Sequence, residues 1–401
     1  MTPSRASLGG LDWLNFFVAN VQTGFGPFIA VYLAARAWTQ VEIGQALSLG
    51  TVVALASQLP AGAIVDRLRD KRMPAAAAGV AVAVSAALFA AIPSHAGVFL
   101  AEALHSFASA MLGPAMAAIS LALVGRAALG TRLGRNARFA SLGSGIAAAV
   151  MGACGTYVSN QAVFWLTAAL MIPVLIALRA VRASDLAGSE FAADVDKLDE
   201  GSLRRDLKEL VTDGRVLGFA LCVALFHLAN AAMLPLAATE VTRQTGSRAN
   251  LVVAACIIVP QVVVAAVSPR IGRTADHHGH GIVLLAGFAA LPARALLLAV
   301  VSSPWGVIAI QLLDGISAAV FGIMLPLVVA DLTLGTARFN LCLGLMGLAV
   351  AAGATLSTLV AGLVADVFGQ PAAFTVLACC GAAAMLAVPR TRRVTKGGAA
   401  A

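Results

Sequence analysis

The chain has 401 residues, 60% hydrophobic and only 11% charged, with a mean hydropathy of +0.91. A soluble domain cannot hide that much apolar surface, and its charged fraction would lie near a quarter. The net charge of +8 would suit a nucleic-acid partner, but the placement of the basic residues along the chain excludes that reading.

Crossing the hydrocarbon core of a bilayer takes roughly 20 apolar residues in helical form. Only helices and closed barrels satisfy their backbone there, and long apolar runs without period-2 alternation exclude the barrel. In chain order the predicted spans are 11–34, 42–65, 73–93, 97–123, 139–158, 162–180, 215–238, 249–269, 281–301, 304–330, 339–364 and 371–388. The first resembles a secretory signal, but its apolar run is too long and leads straight into further spans, so it is expected to stay uncleaved. Breaks fall at Pro, Gly, Ser and charged residues, as in Ile92-Pro93-Ser94-His95 and Ser302-Ser303-Pro304. The one long polar segment, Ser184 to Asp213, carries nine of the nineteen acidic residues and reads as a partly helical cytoplasmic linker. The expected fold is thus an all-α membrane protein of 12 transmembrane helices in two pseudo-symmetric six-helix bundles, 1–183 and 214–401, joined by the linker 184–213.

With the N-terminus inside, 23 of the 27 basic residues fall on the cytoplasmic side. That asymmetry is the positive-inside rule, so the basic balance reports topology, with both termini cytoplasmic in the inner membrane. The six cysteines (154, 222, 256, 342, 379, 380) all lie within apolar spans at no metal-type spacing, and read as small packing residues.

An internal repeat is the most informative feature. Gly62 and Asp66 follow the second span of the first half, and Gly272 and Asp276 follow the second span of the second half, each pair 210 apart. Pro27 and Pro235, in the first span of each half, are 208 apart. In the fourth span of each half a carboxylate precedes a proline by twelve residues: Glu102 and Pro114, then Asp314 and Pro326, both offset by 212. Duplicated halves are a common way to build alternating access around a central site.

The first of these turns, Gly62-Ala-Ile-Val-Asp66-Arg67-Leu-Arg-Asp-Lys71-Arg72, resembles the signature loop of the major facilitator superfamily of secondary transporters, and Gly272-Arg-Thr-Ala-Asp276-His-His-Gly279-His280 is similar to its weaker second-half echo. Gly62, Asp66, Arg67, Lys71 and Arg72 match the signature, while Arg69 and Asp70 replace the family's Gly and Arg; in the second copy Gly272, Asp276 and Gly279 match and histidines take the basic positions. Physically, Gly62 lets a neighbouring helix pass closely, and Asp66 can face the positive end of a helix dipole, expected to be that of the eleventh span. The resemblance implies that this contact stabilises the outward-facing state. His277, His278 and His280 could suggest a metal, but they occupy the signature's basic positions, so neither metal nor cofactor is expected.

The fourth span departs from the family. Facilitators often carry Arg-x-x-Gln-Gly there; this chain reads Glu102-Ala-Leu-His105-Ser106. By helical rise Glu102 lies roughly 9 Å and Asp314 roughly 15 Å inside the outer end of its helix, where ionised acids are expensive and need a wet cavity or a partner. Asp314 has Arg294 at similar depth on the preceding antiparallel helix, so a structural ion pair competes with a functional role. Glu102 has no cation on its hairpin neighbour and is the stronger candidate for proton coupling, with Asp314 second. Polar stripes fall at Asn15 and Gln22 in the first span, His105 in the fourth, His227 and Asn230 in the seventh, and Gln311, Asp314 and Ser317 in the tenth. The resemblance implies that these four spans line a central substrate cavity, with Arg294 beside it. The family's antiporter signature is not met, since the fifth span has no proline.

No nucleophile motif or nucleotide loop is present, so no enzyme activity is expected. The expected function is proton-coupled efflux of a neutral or cationic lipophilic compound by a monomer, its partners being substrate, protons and the lipid bilayer. Proton symport of a small metabolite is the alternative, and an uncoupled facilitator the weaker one.

Overall fold

The computed structural model describes residues 3–187, 203–238 and 249–395. Among the described residues there is no strand, and twelve helices are long and apolar enough to cross a membrane. They are α1 (Arg5–Ala34), α2 (Gln40–Arg67), α3 (Arg72–Ala91), α4 (His95–Val124), α5 (Leu129–Tyr157), α6 (Asn160–Ala180), α7 (Gly214–Ala238), α8 (Ala249–His278), α9 (His280–Val300), α10 (Pro304–Leu332), α11 (Phe339–Phe368) and α12 (Gln370–Thr395). Two further helices, Ala183–Ala187 and the amphipathic Leu203–Thr212, occupy the two ends of the expected linker. The middle of the expected linker, 188–202, lies outside the described residues.

Polar side chains start the helices. Ser4, Ser94, Ser159 and Ser303 each accept a backbone N–H as N-caps, and Thr39 with Glu42 closes a capping box at the head of α2. Three spans are broken by proline. A proline lacks the N–H that would bond the carbonyl four residues earlier, and Pro27, Pro173 and Pro235 lie four residues after Thr23, Ala169 and Ala231. The helical pieces end at Thr23, Ala169 and Asn230. Several helices run further than hydropathy suggests, most of all α5, which begins ten residues early and carries Arg132, Arg135 and Arg138, and α8, which continues to His278. Hydropathy ends where the lipid ends, but Leu, Arg and Ala extend a helix into the headgroups without penalty.

The chain forms two compact units. Unit 1 comprises 1–129, 138–202 and 335–344; unit 2 comprises 130–137, 203–334 and 345–401. In unit 1 the core gathers Phe25, Tyr32, Phe89 and Phe164, with Phe89 stacked on Phe164 at 5.0 Å and the Tyr32 hydroxyl donating to the Phe89 carbonyl. Unit 2 centres on Phe226, which stacks on Phe321 at 4.5 Å and packs against Phe288. A matching helix crossing in each unit tolerates only glycine. A Cβ on Gly143 would strike the Phe16 carbonyl of α1, and one on Gly353 would strike the Ala224 carbonyl of α7. The two glycines are 210 apart. Leu100, Ile176, Val262 and Leu363 point outward on these apolar helices, the arrangement lipid requires.

Candidate gating and transport sites

Two aspartates cap helices by the same geometry. Asp66, buried in the last turn of α2, accepts through Oδ1 from the Asn340 backbone N–H (2.9 Å) and Nδ2 (2.7 Å), and through Oδ2 from the Leu341 N–H (2.8 Å). Asp276 accepts through Oδ1 from the Gly130 N–H (2.9 Å), and through Oδ2 from the Thr131 N–H (2.7 Å) and hydroxyl (2.6 Å). These donors sit in the first turns of α11 and α5, where N–H groups have no partner within the helix and the dipole favours an anion. Asn340 and Gly130 are 210 apart, as are Leu341 and Thr131. A Cβ on Gly62 would strike the Asn340 carbonyl, and one on Gly272 the Gly130 carbonyl. Each cap lies inside one unit.

The expected signature loops are therefore largely helix: Gly62, Asp66 and Arg67 end α2, and Gly272 and Asp276 lie inside α8. Buried Lys71 donates to the carbonyls of Val65 (2.7 Å) and Asp66 (2.9 Å), capping the end of α2. Burial pushes its ammonium down to about 8, against the pull of the Asp66 carboxylate. Arg72 grips Asp70 through Nε and Nη2, reaches the Val181 carbonyl with Nη1, and by these bonds holds the Asp70 carboxyl below the usual carboxylate range. Arg67 is exposed. Gly279 turns the chain between α8 and α9 at φ 79°, a left-handed conformation that glycine adopts without cost.

In unit 1 the polar side chains divide. The His105 ring stacks on Phe25 at 3.6 Å, and its Nε2 lies 3.3 Å from the Ser109 hydroxyl, which donates to Gln22 Oε1 (3.2 Å). Gln22, Ser109 and His105 thus form one chain beside the break in α1. Ser109 escaped the sequence reading, although its place one turn after His105 on the same helix was a usable signal. Asn15 donates to the Leu11 carbonyl of its own helix (2.7 Å). Glu102, one turn before His105, is buried and lies against α2: a Cβ on Gly50 would strike its Oε1, and its Oε2 is buried without a hydrogen-bond partner.

In unit 2 Arg294 gathers the polar groups. It is 1% exposed and donates through Nη1 to Asp314 Oδ1 and Asn230 Oδ1 (2.7 Å), and through Nη2 to Gln311 Oε1 (2.8 Å). Asp314 is the more accessible member at 19%. Gln311 and Ser317, expected on a cavity wall, are fully buried. Gln311 supports Arg294 and donates to the Val307 carbonyl, and the Ser317 hydroxyl is shared between the carbonyls of Gly287 and Leu313, tying α10 to α9. His227 meets Phe321 edge-on at 4.8 Å, with Nε2 buried and unpartnered.

Twelve apolar helices, duplicated halves and a helix-capping aspartate at matching places in each half define a polytopic membrane transporter. The chain belongs to the Major Facilitator Superfamily, whose sequence model matches residues 11–236. It is 36% identical over 392 residues to the uncharacterized MFS-type transporter Rv2456c of Mycobacterium tuberculosis strain H37Rv, spanning 95% of this chain and 93% of the relative, and equally similar to MT2531 of strain CDC 1551. Among solved structures it is similar to the Escherichia coli transporter FucP in the outward conformation (TM-score 0.72, 17% identity, 96% of this chain and 98% of that one). It is also similar to the human organic anion transporter MFSD10 (TM-score 0.71, 18% identity, 97% and 100%). Identities this low speak for the fold alone. The protein moves a substrate across a membrane.

Proposed function

We propose that the protein is a proton-coupled secondary transporter of the inner membrane, working by alternating access and exporting a neutral or cationic lipophilic compound. The observation that carries this reading is the contrast between the two membrane acids. Asp314 is neutralised by Arg294, whereas Glu102 is buried with one oxygen unpartnered, a state costly for a carboxylate and natural for a group that picks up a proton. Glu102 is the coupling acid in this reading, and the Asp66 and Asp276 caps hold one conformational state and release in the other. Positive-inside charge supports cytoplasmic termini and linker. The test begins with a substrate screen in proteoliposomes under an imposed pH gradient. Glu102→Gln should then abolish gradient-driven transport and keep substrate exchange, which needs no net proton movement; full gradient-driven transport in that variant would remove Glu102 from the coupling step. A second reading, proton symport of a polar metabolite, is favoured by the donors and acceptors gathered at Asn230, Arg294 and Asp314. The sign of the pH gradient that drives accumulation separates the two.

A further inference from the structure

Glu102 packs against α2, with its Oε1 over Gly50. On α2, Glu42, Ala46 and Gly50 recur at intervals of four and share a face; on α4, His95, Val98 and Glu102 recur at intervals of three and four. At the rim, Glu42 Oε1 lies 2.9 Å from His95 Nε2. Gly50, eight residues further along α2, lies beneath the Glu102 carboxyl. The 1.5 Å rise per residue puts the rim pair roughly 11 Å from Glu102. Between them Ala46 and Val98, each fully buried in one core, form an apolar layer.

The rim is held by more than the ion pair. Glu42 Oε2 accepts from the Thr39 N–H (2.8 Å) and hydroxyl (2.9 Å), which fixes the carboxylate toward His95. The Trp38 ring stacks on the His95 imidazole at 4.2 Å. Ala37, just before it, sits at φ 61°, a left-handed conformation that an alanine keeps only when its surroundings impose it.

We propose that the α2–α4 seam is the proton entrance to Glu102 and that the Glu42–His95 pair is the clasp that closes it. With the clasp shut, Ala46 and Val98 exclude water. With it open, water enters the seam and delivers a proton to the Glu102 carboxylate or removes one from the acid. Glu42 and His95 are positioning residues for this exchange, and the Gln22–Ser109–His105 chain lies one to two turns deeper on α4. The proton role rests on the reading of Glu102 as the coupling acid; the clasp does not.

The test is chemical labelling of Glu102 in the full-length protein in membranes, using a water-soluble carbodiimide with glycine ethyl ester and mass-spectrometric readout. Glu42→Ala, which removes the carboxylate, and His95→Ala, which removes its partner, should each raise the rate of Glu102 modification about threefold over the unaltered chain, the scale expected for a partly exposed pair. Equal rates in all three proteins would overturn the proposal. Faster labelling in the clasp variants, combined with intact gradient-driven transport in Glu102→Gln, would overturn the proton role through the failure of Glu102 and leave the clasp standing.

Discussion

Asp66→Asn isolates one half of a helix cap. The asparagine carbonyl can still accept from the Asn340 N–H, but its NH2 group replaces Oδ2, which now accepts from the Leu341 N–H at 2.8 Å. Leu341 then presents a buried donor to another donor. The loss comprises a charge-assisted hydrogen bond of about 1.5–3 kcal/mol and an anion at a helix N-terminus, worth up to about 2 kcal/mol when partly buried. The two overlap, so about 3 kcal/mol is a fair sum, on the order of 100-fold in the opening equilibrium of that helix end. Amide hydrogen exchange over 337–346, followed by mass spectrometry, reads this directly as a protection factor lowered on the order of 100-fold. Asp276→Asn should do the same over 128–134, within a few-fold, because its two carboxylate oxygens meet backbone N–H groups of the same two helix positions. Transport should slow in both variants with substrate affinity little changed. Unaltered exchange at Asn340 and Leu341 would refute the cap as the restraint, and an effect confined to one aspartate would refute the equivalence of the two.

Two further perturbations follow from other contacts. Asp314→Asn leaves the Arg294 charge buried without its carboxylate, a loss of about 3–5 kcal/mol that should lower the thermal midpoint or expression, and adding Arg294→Gln should recover part of it; a double variant no better than Asp314→Asn would show that the pair is not structural. At the start of α1, Asp185 Oδ2 accepts from the hydroxyls of Ser4 and Ser7 (2.7 Å for Ser7) and from the Ser4 N–H (3.1 Å), and these bonds hold its carboxyl below the usual range. A lowered folded value means the latch contributes fully above the unfolded value, about 3.9, and is lost as pH falls through the folded one. Exchange at residues 4–8, corrected for intrinsic rates, should therefore be flat from about pH 7 to 5 and rise below about 4, and Asp185→Asn should show the looser exchange at neutral pH.

The spans were legible because lipid demands a long apolar run, and twelve such runs leave little freedom in the fold class. The depth of Asp314 and Arg294 on antiparallel neighbours was also legible, since helical rise fixes height. Rotation about the helix axis was not. On a helix flanked by lipid on one side and an alanine-rich core on the other, both environments are apolar, so periodicity says little about where Glu102 or Ser317 points. Glu102 turned toward Gly50 of α2, and Ser317 turned inward to the Gly287 carbonyl. The Asp276 cap was within reach and went unread: adding 210 to Gly130 and Thr131 gives Asn340 and Leu341, the partners of Asp66.

The two halves have kept their backbone contacts and changed their side-chain chemistry, and the division has a physical reason. The repeated pairs are Gly62 and Gly272, Asp66 and Asp276, and Gly143 and Gly353, each pressing on or capping main chain. Main-chain partners do not change with sequence, so a substitution at such a position has no compensating partner change, and both copies stay alike. Glu102 and Asp314 sit at corresponding places, but their neighbours are side chains, which can drift together. In one copy Arg294, Asn230 and Gln311 join the acid in a hydrogen-bonded cluster of no net charge. In the other the acid lies over a glycine with an oxygen unpartnered. The two membrane acids therefore differ in what surrounds them: Asp314 meets a buried cation, and Glu102 meets backbone.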